Sequence, residues 1–284
     1  MLVMKLAIYT KDPALKGDPR FRGMLDRLSA SGCTFYDIWN AEDLQDDTSL
    51  VLSVGGDGTF LSASKRVALS GVPLVGVNLG RLGFLSEYSP EEVAEALPAG
   101  AYSVEDRALL RTDIDGQILG TGSSFWPYSL NEISILRSGA AILGVNVTIG
   151  DDPLPTYWGD GLLVATSSGS TAYSLSVGGP ICLPEARVLV VAPIAPHNLN
   201  VRPLIVPHAT RITLSFVSRD DQVTLSMDNR TVRLAPSSVL SVGVAQFSLK
   251  RVRLERSNFI RALTTKLYWG EDRRNADTAP SGRE

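Results

Sequence analysis

Leu50-Val51-Leu52-Ser53-Val54-Gly55-Gly56-Asp57-Gly58-Thr59-Phe60 decides how this chain is read. Its first five residues are almost wholly apolar, the pattern of a strand buried on both faces in a parallel sheet. Three glycines then permit a turn with φ > 0 and leave backbone N–H groups open to a close-approaching oxyanion. Residues 60–68 continue as a helix. The motif therefore falls beyond the carboxyl end of a strand, where open α/β sheets bind ligands. Asp57 is the odd member, because a plain phosphate cradle avoids a negative side chain. A carboxylate beside phosphate-binding backbone implies a base, a metal contact or a hydroxyl ligand, and so phosphoryl transfer. The competing reading is an ordinary strand–turn–helix corner that uses Gly and Asp for turn geometry alone.

Outward from the motif, strands and helices alternate. Residues 1–10 read as a first strand. Residues 21–30 read as a helix with apolar Phe21, Met24, Leu25 and Leu28 on one face and Gly32 as its C-cap. Strands follow at 34–39 and 73–77, and Asn78 opens a loop at 78–86. A short helix at 90–97 ends at Pro98 and Gly100. Beyond it the chain is strand-rich, with segments at 103–114, 130–137, 143–149, 161–166, 188–192, 211–216, 223–227, 231–234 and 247–253. The pattern predicts an α/β N-terminal domain with an open parallel sheet over 1–100 and a strand-rich C-terminal domain over 101–255. In the last segment, 256–284, Phe259, Ile260, Leu263 and Leu267 mark a helix expected to return to the N-terminal domain. The charged tail after Trp269 reads as disordered.

The chain of 284 residues carries 27 Lys and Arg against 30 Asp and Glu, a net charge of -3. Nothing in that balance attracts nucleic acid or an anionic membrane. Cys33 and Cys182 are too few and too far apart for a metal cluster or a disulfide framework. His197 and His208 are the only histidines, which excludes a histidine-rich zinc site. No run approaches the ~18 apolar residues that cross a bilayer, and the start has no secretory h-region. A cytoplasmic protein with no membrane and no nucleic-acid partner is expected. Neither Gly-x-x-x-x-Gly-Lys-Ser/Thr nor Gly-x-Gly-x-x-Gly occurs, so a nucleotide enzyme here needs a different cradle.

A second constellation starts at Gly159-Asp160-Gly161 and the apolar run Leu162-Leu163-Val164-Ala165. It goes on through Thr166-Ser167-Ser168-Gly169-Ser170-Thr171-Ala172-Tyr173-Ser174 to Gly178-Gly179-Pro180. Such a density of hydroxyls can bind sugar and phosphate oxygens without a salt bridge. Tyr173 adds a ring that stacks or hydrogen-bonds. An idle Ser/Gly surface loop is the alternative. Asn131-Glu132, ahead of apolar Ile133, Ile135 and Leu136, offers donors and acceptors that suit a ribose diol or an adenine edge. A solvated turn accounts for that pair equally well.

Taken in order, the blocks Gly55-Gly56-Asp57-Gly58-Thr59-Phe60-Leu61, Asn78-Leu79-Gly80-Arg81-Leu82-Gly83-Phe84-Leu85 and Asn131-Glu132 resemble the NAD kinase family. The run from Asp160-Gly161 to Gly178-Gly179-Pro180 resembles it too, and the likeness extends to Lys266-Leu267-Tyr268-Trp269-Gly270. It implies transfer of the ATP γ-phosphoryl group to the 2'-hydroxyl of the adenosine ribose of NAD, giving NADP. It further implies Asp57 as the proton acceptor for that hydroxyl, and Asn131, Glu132 and Asp160 as contacts to NAD. Thr171, Ala172, Tyr173, Ser174 and Ser176 match the loop that wraps the dinucleotide, and Ala195 matches a backbone contact near it. Phe84 falls where an aromatic lies near adenine, and Arg81 is a candidate phosphate contact. Gly56, Gly58 and Thr59 would present donors to ATP phosphates bridged by a divalent ion, Mg²⁺. A carboxylate is a weak base at neutral pH, so orientation and metal-assisted activation are expected to share the work.

Family members form homodimers and homotetramers and accept ATP alone or also inorganic polyphosphate. Two departures stand out. Thr166-Ser167-Ser168-Gly169 replaces the usual Thr-Pro-Ser-Gly or Thr-Pro-Thr-Gly. Asp228-Asn229-Arg230 replaces Asp-Gly-Gln, keeping Asp228 as a ligand candidate and adding a positive charge. Other readings are a lipid or sphingoid-base kinase sharing the Gly-Gly-Asp-Gly motif, or a non-catalytic dinucleotide-binding protein. The hydroxyl-rich loop opposes the first, and Asp57 among the glycines opposes the second.

Overall fold

The computed structural model describes residues 4–80, 83–115, 117–118 and 126–267; Arg81 and the charged tail lie outside the described residues. The N-terminal strands are β1 (Lys5–Tyr9), β2 (Thr34–Asp37), β3 (Leu50–Val54) and β4 (Leu74–Val77). They pair in parallel in the order β4-β3-β1-β2. Helix α1 (Pro19–Ala30) links β1 to β2, and α2 (Asp57–Val67) links β3 to β4. The order reverses between β1 and β3, which opens a crevice beyond their carboxyl ends. Every residue of β3 is buried, as its almost wholly apolar run implies. Phe21, Met24 and Leu28 of α1 cover one face of this sheet, together with Val93 and Leu97 of α3 (Pro90–Ala99). On the other face, α2 lays down Phe60, Ala63 and Val67.

The rest is mainly strand. First come β5 (Tyr102–Ile114), β6 (Gln117–Ile118), β7 (Tyr128–Ser129), β8 (Glu132–Arg137), β9 (Leu143–Ile149), β10 (Asp152–Pro153), β11 (Tyr157–Gly159) and β12 (Gly161–Thr166). After the short helix α4 (Tyr173–Ser176) come β13 (Val188–Ile194), β14 (Leu204–Pro207), β15 (Ile212–Val217), β16 (Val223–Met227), β17 (Arg230–Leu234) and β18 (Leu240–Leu254). Helix α5 (Phe259–Leu267) ends the described chain. One sheet runs β14-β13-β12-β8-β16-β17. It packs against β9, β15 and the first half of β18, with Ile133, Ile135, Val145, Val147, Leu214 and Val242 in the shared core. This α/β unit joined to a strand-rich unit is the architecture the sequence predicts. Among the described residues, no helix is long and apolar enough to cross a membrane.

The two halves are joined by β18. It pairs with β5 along nearly its whole length, with β15 near its start, and in parallel with β4 through Arg251 opposite Leu74. Leu109, Leu130 and Leu249 share a single apolar cluster with Phe60, Ala63 and Val67 of α2. The sequence pattern starts this strand at residue 247, whereas it begins at Leu240. A register shift between Val244 and Ser248 interrupts the alternation and hides the first half. Strand β14 is missed for another reason: Pro203 precedes it and Pro207 is its last residue, and proline is tolerated because β14 lies at the sheet edge.

Candidate active site

Asp57 is the first residue of α2, three positions ahead of the helix start read from sequence. Its side chain folds across to the loop after β4. Oδ2 accepts the N–H of Phe84 at 3.0 Å, and Oδ1 accepts those of Leu85 at 3.1 Å and Ser86 at 2.9 Å. The room for this comes from Gly83, where a Cβ would overlap the carboxylate. From below, Gly76 lets Leu85 O and Ser86 Cα approach to 2.7 Å of where its Cβ would stand. Asn78 donates from Nδ2 to Ser86 O at 3.3 Å and accepts Gly80 N–H at 2.8 Å, shaping the same loop. Gly56 and Gly58 are exposed at the head of α2, whose first N–H groups have no earlier helical carbonyl to bond. The N–H of Thr59 is spent on Gly56 O at 2.9 Å.

Asn131 and Glu132 lie where β8 begins, beside the turn between β16 and β17. Asp228 occupies that turn with φ 50° and accepts N–H bonds from Leu130 and Asn131 at 2.9 Å and from Glu132 at 3.3 Å. Asn229 reaches Ser62 of α2 at 3.5 Å, which carries this turn to the N-terminal half. Glu132 is only 8% exposed and the Asp228 side chain 6%. Burial, reinforced by the charge of Asp228, pushes the Glu132 carboxyl up to about 8 against one N–H bond from Tyr173. Burial also raises Asp228, but its three N–H donors and Arg230 4.0 Å away work to keep its charge. Asp228 is thus the better stabilised anion of the pair and Glu132 the proton holder. Arg230 turns its guanidinium onto the carbonyls of Trp126 and Tyr128, so the departure at this position is absorbed by backbone.

The hydroxyl-rich loop spends part of its hydroxyls on itself. Thr166 Oγ1 donates to Leu130 O at 2.6 Å, Ser167 Oγ to Pro184 O at 3.1 Å, and Ser170 Oγ to Ser167 O at 2.7 Å. Gly169 packs on the Asn131 backbone with no room for a Cβ. Together with the bond from Thr166 N–H to Asn131 O at 2.8 Å, these bonds tie the start of the loop to Leu130 and Asn131, while Tyr173 is exposed. Three buried polar atoms, Asn131 Oδ1, Glu132 Oε2 and Ser174 Oγ, have no hydrogen-bond partner in the protein. Buried polar groups rarely stay unpaired in a finished structure. Buried atoms on Ser53, Ser86, Thr112, Ser129 and Arg251 are unpaired as well; the three on Asn131, Glu132 and Ser174 leave this loop open to a polar ligand. Phe84 and Thr171 border one small cavity, which joins the Asp57 loop to this one.

Asp160 and Ala195 stand apart. Asp160 N–H bonds the carbonyl of Ile194, the residue before Ala195, at 3.0 Å, and Arg137 Nε holds Asp160 Oδ1 at 2.6 Å. Ala195 takes φ 44° where β13 ends. In the β12–β8 ladder, Gly161 faces Leu136 and Ala165 faces Glu132. Asp160 therefore lies about five strand residues from Glu132, on the order of 16 Å. One copy of the chain gathers Asp57, Phe84, Asn131, Glu132, Thr171, Tyr173, Ser174 and Asp228 in one region, and Asp160 and Ala195 in another.

Two family models match the chain: the ATP-NAD kinase N-terminal domain over residues 38–102 and the ATP-NAD kinase C-terminal domain over 130–254. An NAD kinase of Bacteroides fragilis is 41% identical over 242 residues, covering 82% of this chain and 82% of that protein. One from Flavobacterium psychrophilum is 35% identical over 262 residues, with 91% and 88% covered. Among solved structures, an NAD kinase from Archaeoglobus fulgidus in complex with ATP superposes with TM-score 0.74 at 25% identity, over 93% of this chain and 99% of that one. Yeast NADH kinase complexed with NADH superposes with TM-score 0.79 over 95% and 89%; at 21% identity it speaks for the fold alone.

Proposed function

Because this chain belongs to the NAD kinase family, we propose that Asp57 meets the ribose 2'-hydroxyl of NAD at the head of α2 while Asn131, Glu132 and the loop 171–176 hold the dinucleotide. The reaction is the ATP-dependent phosphorylation of NAD to NADP. The observation that carries the NAD site is the trio of buried, unpartnered atoms on Asn131, Glu132 and Ser174. A ribose diol or an amide supplies donors and acceptors for them. A lipid tail would leave all three unsatisfied.

The ATP phosphates belong on the opening N–H groups of α2, at Gly56 and Gly58, with Thr59 beside them. Phe84 and Asp228 complete the reading, the first toward the adenine and the second by fixing the backbone of residues 130–132. Among the described residues, no three His, Cys, Asp or Glu gather into a metal cluster. A Mg²⁺ taken up with ATP would thus be held largely by the phosphates themselves, its usual habit, and would neutralise their charge during transfer. Asp160 and Ala195, distant within one copy, fit a dinucleotide bound between copies of a homodimer or homotetramer. The proposed location is cytoplasmic.

A coupled assay with ATP, Mg²⁺ and NAD, run on the folded protein and on Asp57→Asn, tests this reading. NADP formation that falls at least about 100-fold in the variant is the expected result. No NADP from the folded wild-type protein overturns it. Replacing ATP by polyphosphate in the same assay identifies the donor range.

A further inference from the structure

The segment that delivers three N–H groups to Asp57 is held from its other side by cations. Lys266 Nζ, near the end of α5, donates to Gly83 O. Arg251 of β18 sends one guanidinium nitrogen toward Phe84 O and Leu85 O, at 3.4 Å each, and pairs with Glu87 at 2.5 Å. Residues 83–87 thus form a strap: the N–H groups of Phe84, Leu85 and Ser86 face Asp57, and the carbonyls of Gly83, Phe84 and Leu85 face Lys266 and Arg251. Lys266 also stands 5.1 Å above the Phe84 ring, and Phe259, at the start of α5, packs its ring 6.2 Å from the same Phe84. Both ends of α5 therefore bear on one residue of the strap. Arg251 is buried in the joint between the halves. Lys266, by contrast, borders an open cleft of about 500 Å³ between α3 and α5, so its side chain is not needed to fill a core.

We propose that Lys266 is a positioning residue for Asp57: it fixes the strap, and through the strap it fixes which carboxylate oxygen faces the acceptor hydroxyl. The proposal rests on the phosphoryl-transfer role given to Asp57 above. A carboxylate offers about four in-plane acceptor sites, two on each oxygen. Leu85 and Ser86 take two on Oδ1, and Phe84 takes one on Oδ2. The fourth, on Oδ2, remains for the hydroxyl proton. Its direction is set by the peptide planes of residues 83–86, and Lys266 grips the first of them. The two charges also sense each other. Burial lowers the Lys266 pKa, while the nearby charges of Glu87 and Asp57 act in the opposite direction. The C-terminal helix is in this way a mechanical part of the site without touching a substrate.

The test compares full-length Lys266→Met and Lys266→Arg with wild type by amide hydrogen exchange and steady-state kinetics. In Lys266→Met, the amides of Phe84, Leu85 and Ser86 should exchange at least about tenfold faster, while those of β3 and β8 keep their protection. The kcat should fall about 10- to 100-fold, the cost of a small misplacement, with KM for ATP and for NAD within about twofold of wild type. Lys266→Arg, which keeps a cationic donor, should restore both readouts. Unchanged exchange at the three amides overturns the proposal. So does a raised KM for ATP with kcat preserved, which would make Lys266 a phosphate contact instead. Lys266→Gln carries the comparison if Lys266→Met does not fold. The exchange readout needs no turnover, so it stands even if the kinase assay on wild type is blank.

Discussion

Gly83 lies so close to Asp57 that a single added carbon would overlap Oδ1 of the carboxylate. The contact is possible only because residue 83 has no side chain, and it brings the next three N–H groups onto Asp57. Gly83→Ala therefore cannot keep both the strap and the carboxylate in place. We expect kcat to fall about 100-fold, because a displacement near 1 Å is enough for that loss. The stability cost should be about 1–3 kcal/mol, typical of overpacking at a tight contact. Thermal melting and NADP formation measured on one preparation check both numbers. A variant with wild-type kcat would show that the clamp has no part in the reaction.

The fold was legible where side chains repeat with a simple period. The run Leu50 to Val54 is buried at every position, and α1 buries Phe21, Met24 and Leu28 from one helical face. Legibility failed where a register shift or a flanking proline broke the period, in the first half of β18 and in β14. For the site, motif spacing drew attention to Asp57, Phe84, Asn131, Glu132 and Asp228, but not to the bonds that join them. Asp57 binds backbone 27 to 29 residues away, and Asp228 binds backbone 96 to 98 residues away. Backbone N–H groups carry no residue signature, so no composition or spacing announces such clamps. Lys266 is hidden for a similar reason, because its partner at Gly83 is a carbonyl.

Glu132 gives stability a pH dependence of predictable sign. Its carboxyl is raised to about 8 in the folded protein, by burial first and by Asp228 second. The folded chain therefore holds a proton that the unfolded chain releases near ~4.3. The stability linked to that proton is complete below the unfolded value and is lost as pH rises through about 8. Glu132→Gln is neutral throughout. It should melt close to wild type at pH 4 and above it at pH 9, by at least ~1 kcal/mol or about 2–4 °C. Parallel melting curves for the two proteins across that range would contradict the raised carboxyl.

Asp228 gives a connected expectation. Its charge is one of the two causes that raise Glu132, and its oxygens fasten three consecutive N–H groups. Asp228→Asn removes the charge and keeps one acceptor. The titration of Glu132 should then shift downward, which narrows the pH window over which wild type loses stability. With Oδ1 kept for Asn131 and Glu132, the lost N–H bond from Leu130 should cost about 1–3 kcal/mol at pH 6. Melting Asp228→Asn alone and combined with Glu132→Gln separates the two effects. If the charges interact, the pH-dependent parts will not add.

Asp160, just ahead of β12, and Glu132, on β8 opposite Ala165 near the far end of β12, are roughly 16 Å apart along the ladder, yet the proposed NAD site uses both. If the dinucleotide bridges two copies, Asp57 of one and Asp160 of the other serve the same site. Asp160→Ala alone and Asp57→Asn alone should each lose activity, with Asp160→Ala acting mainly by raising KM for NAD. Co-expression of the two variants should then recover activity. In a randomly mixed dimer population half the molecules are mixed, and each of those has one site with both residues intact. About a quarter of the wild-type sites should work. Size-exclusion chromatography with light scattering fixes the number of copies, so that the expected fraction can be recalculated for a tetramer. Full activity loss in the mixture, from an oligomer proven to be mixed, would confine each site to a single copy.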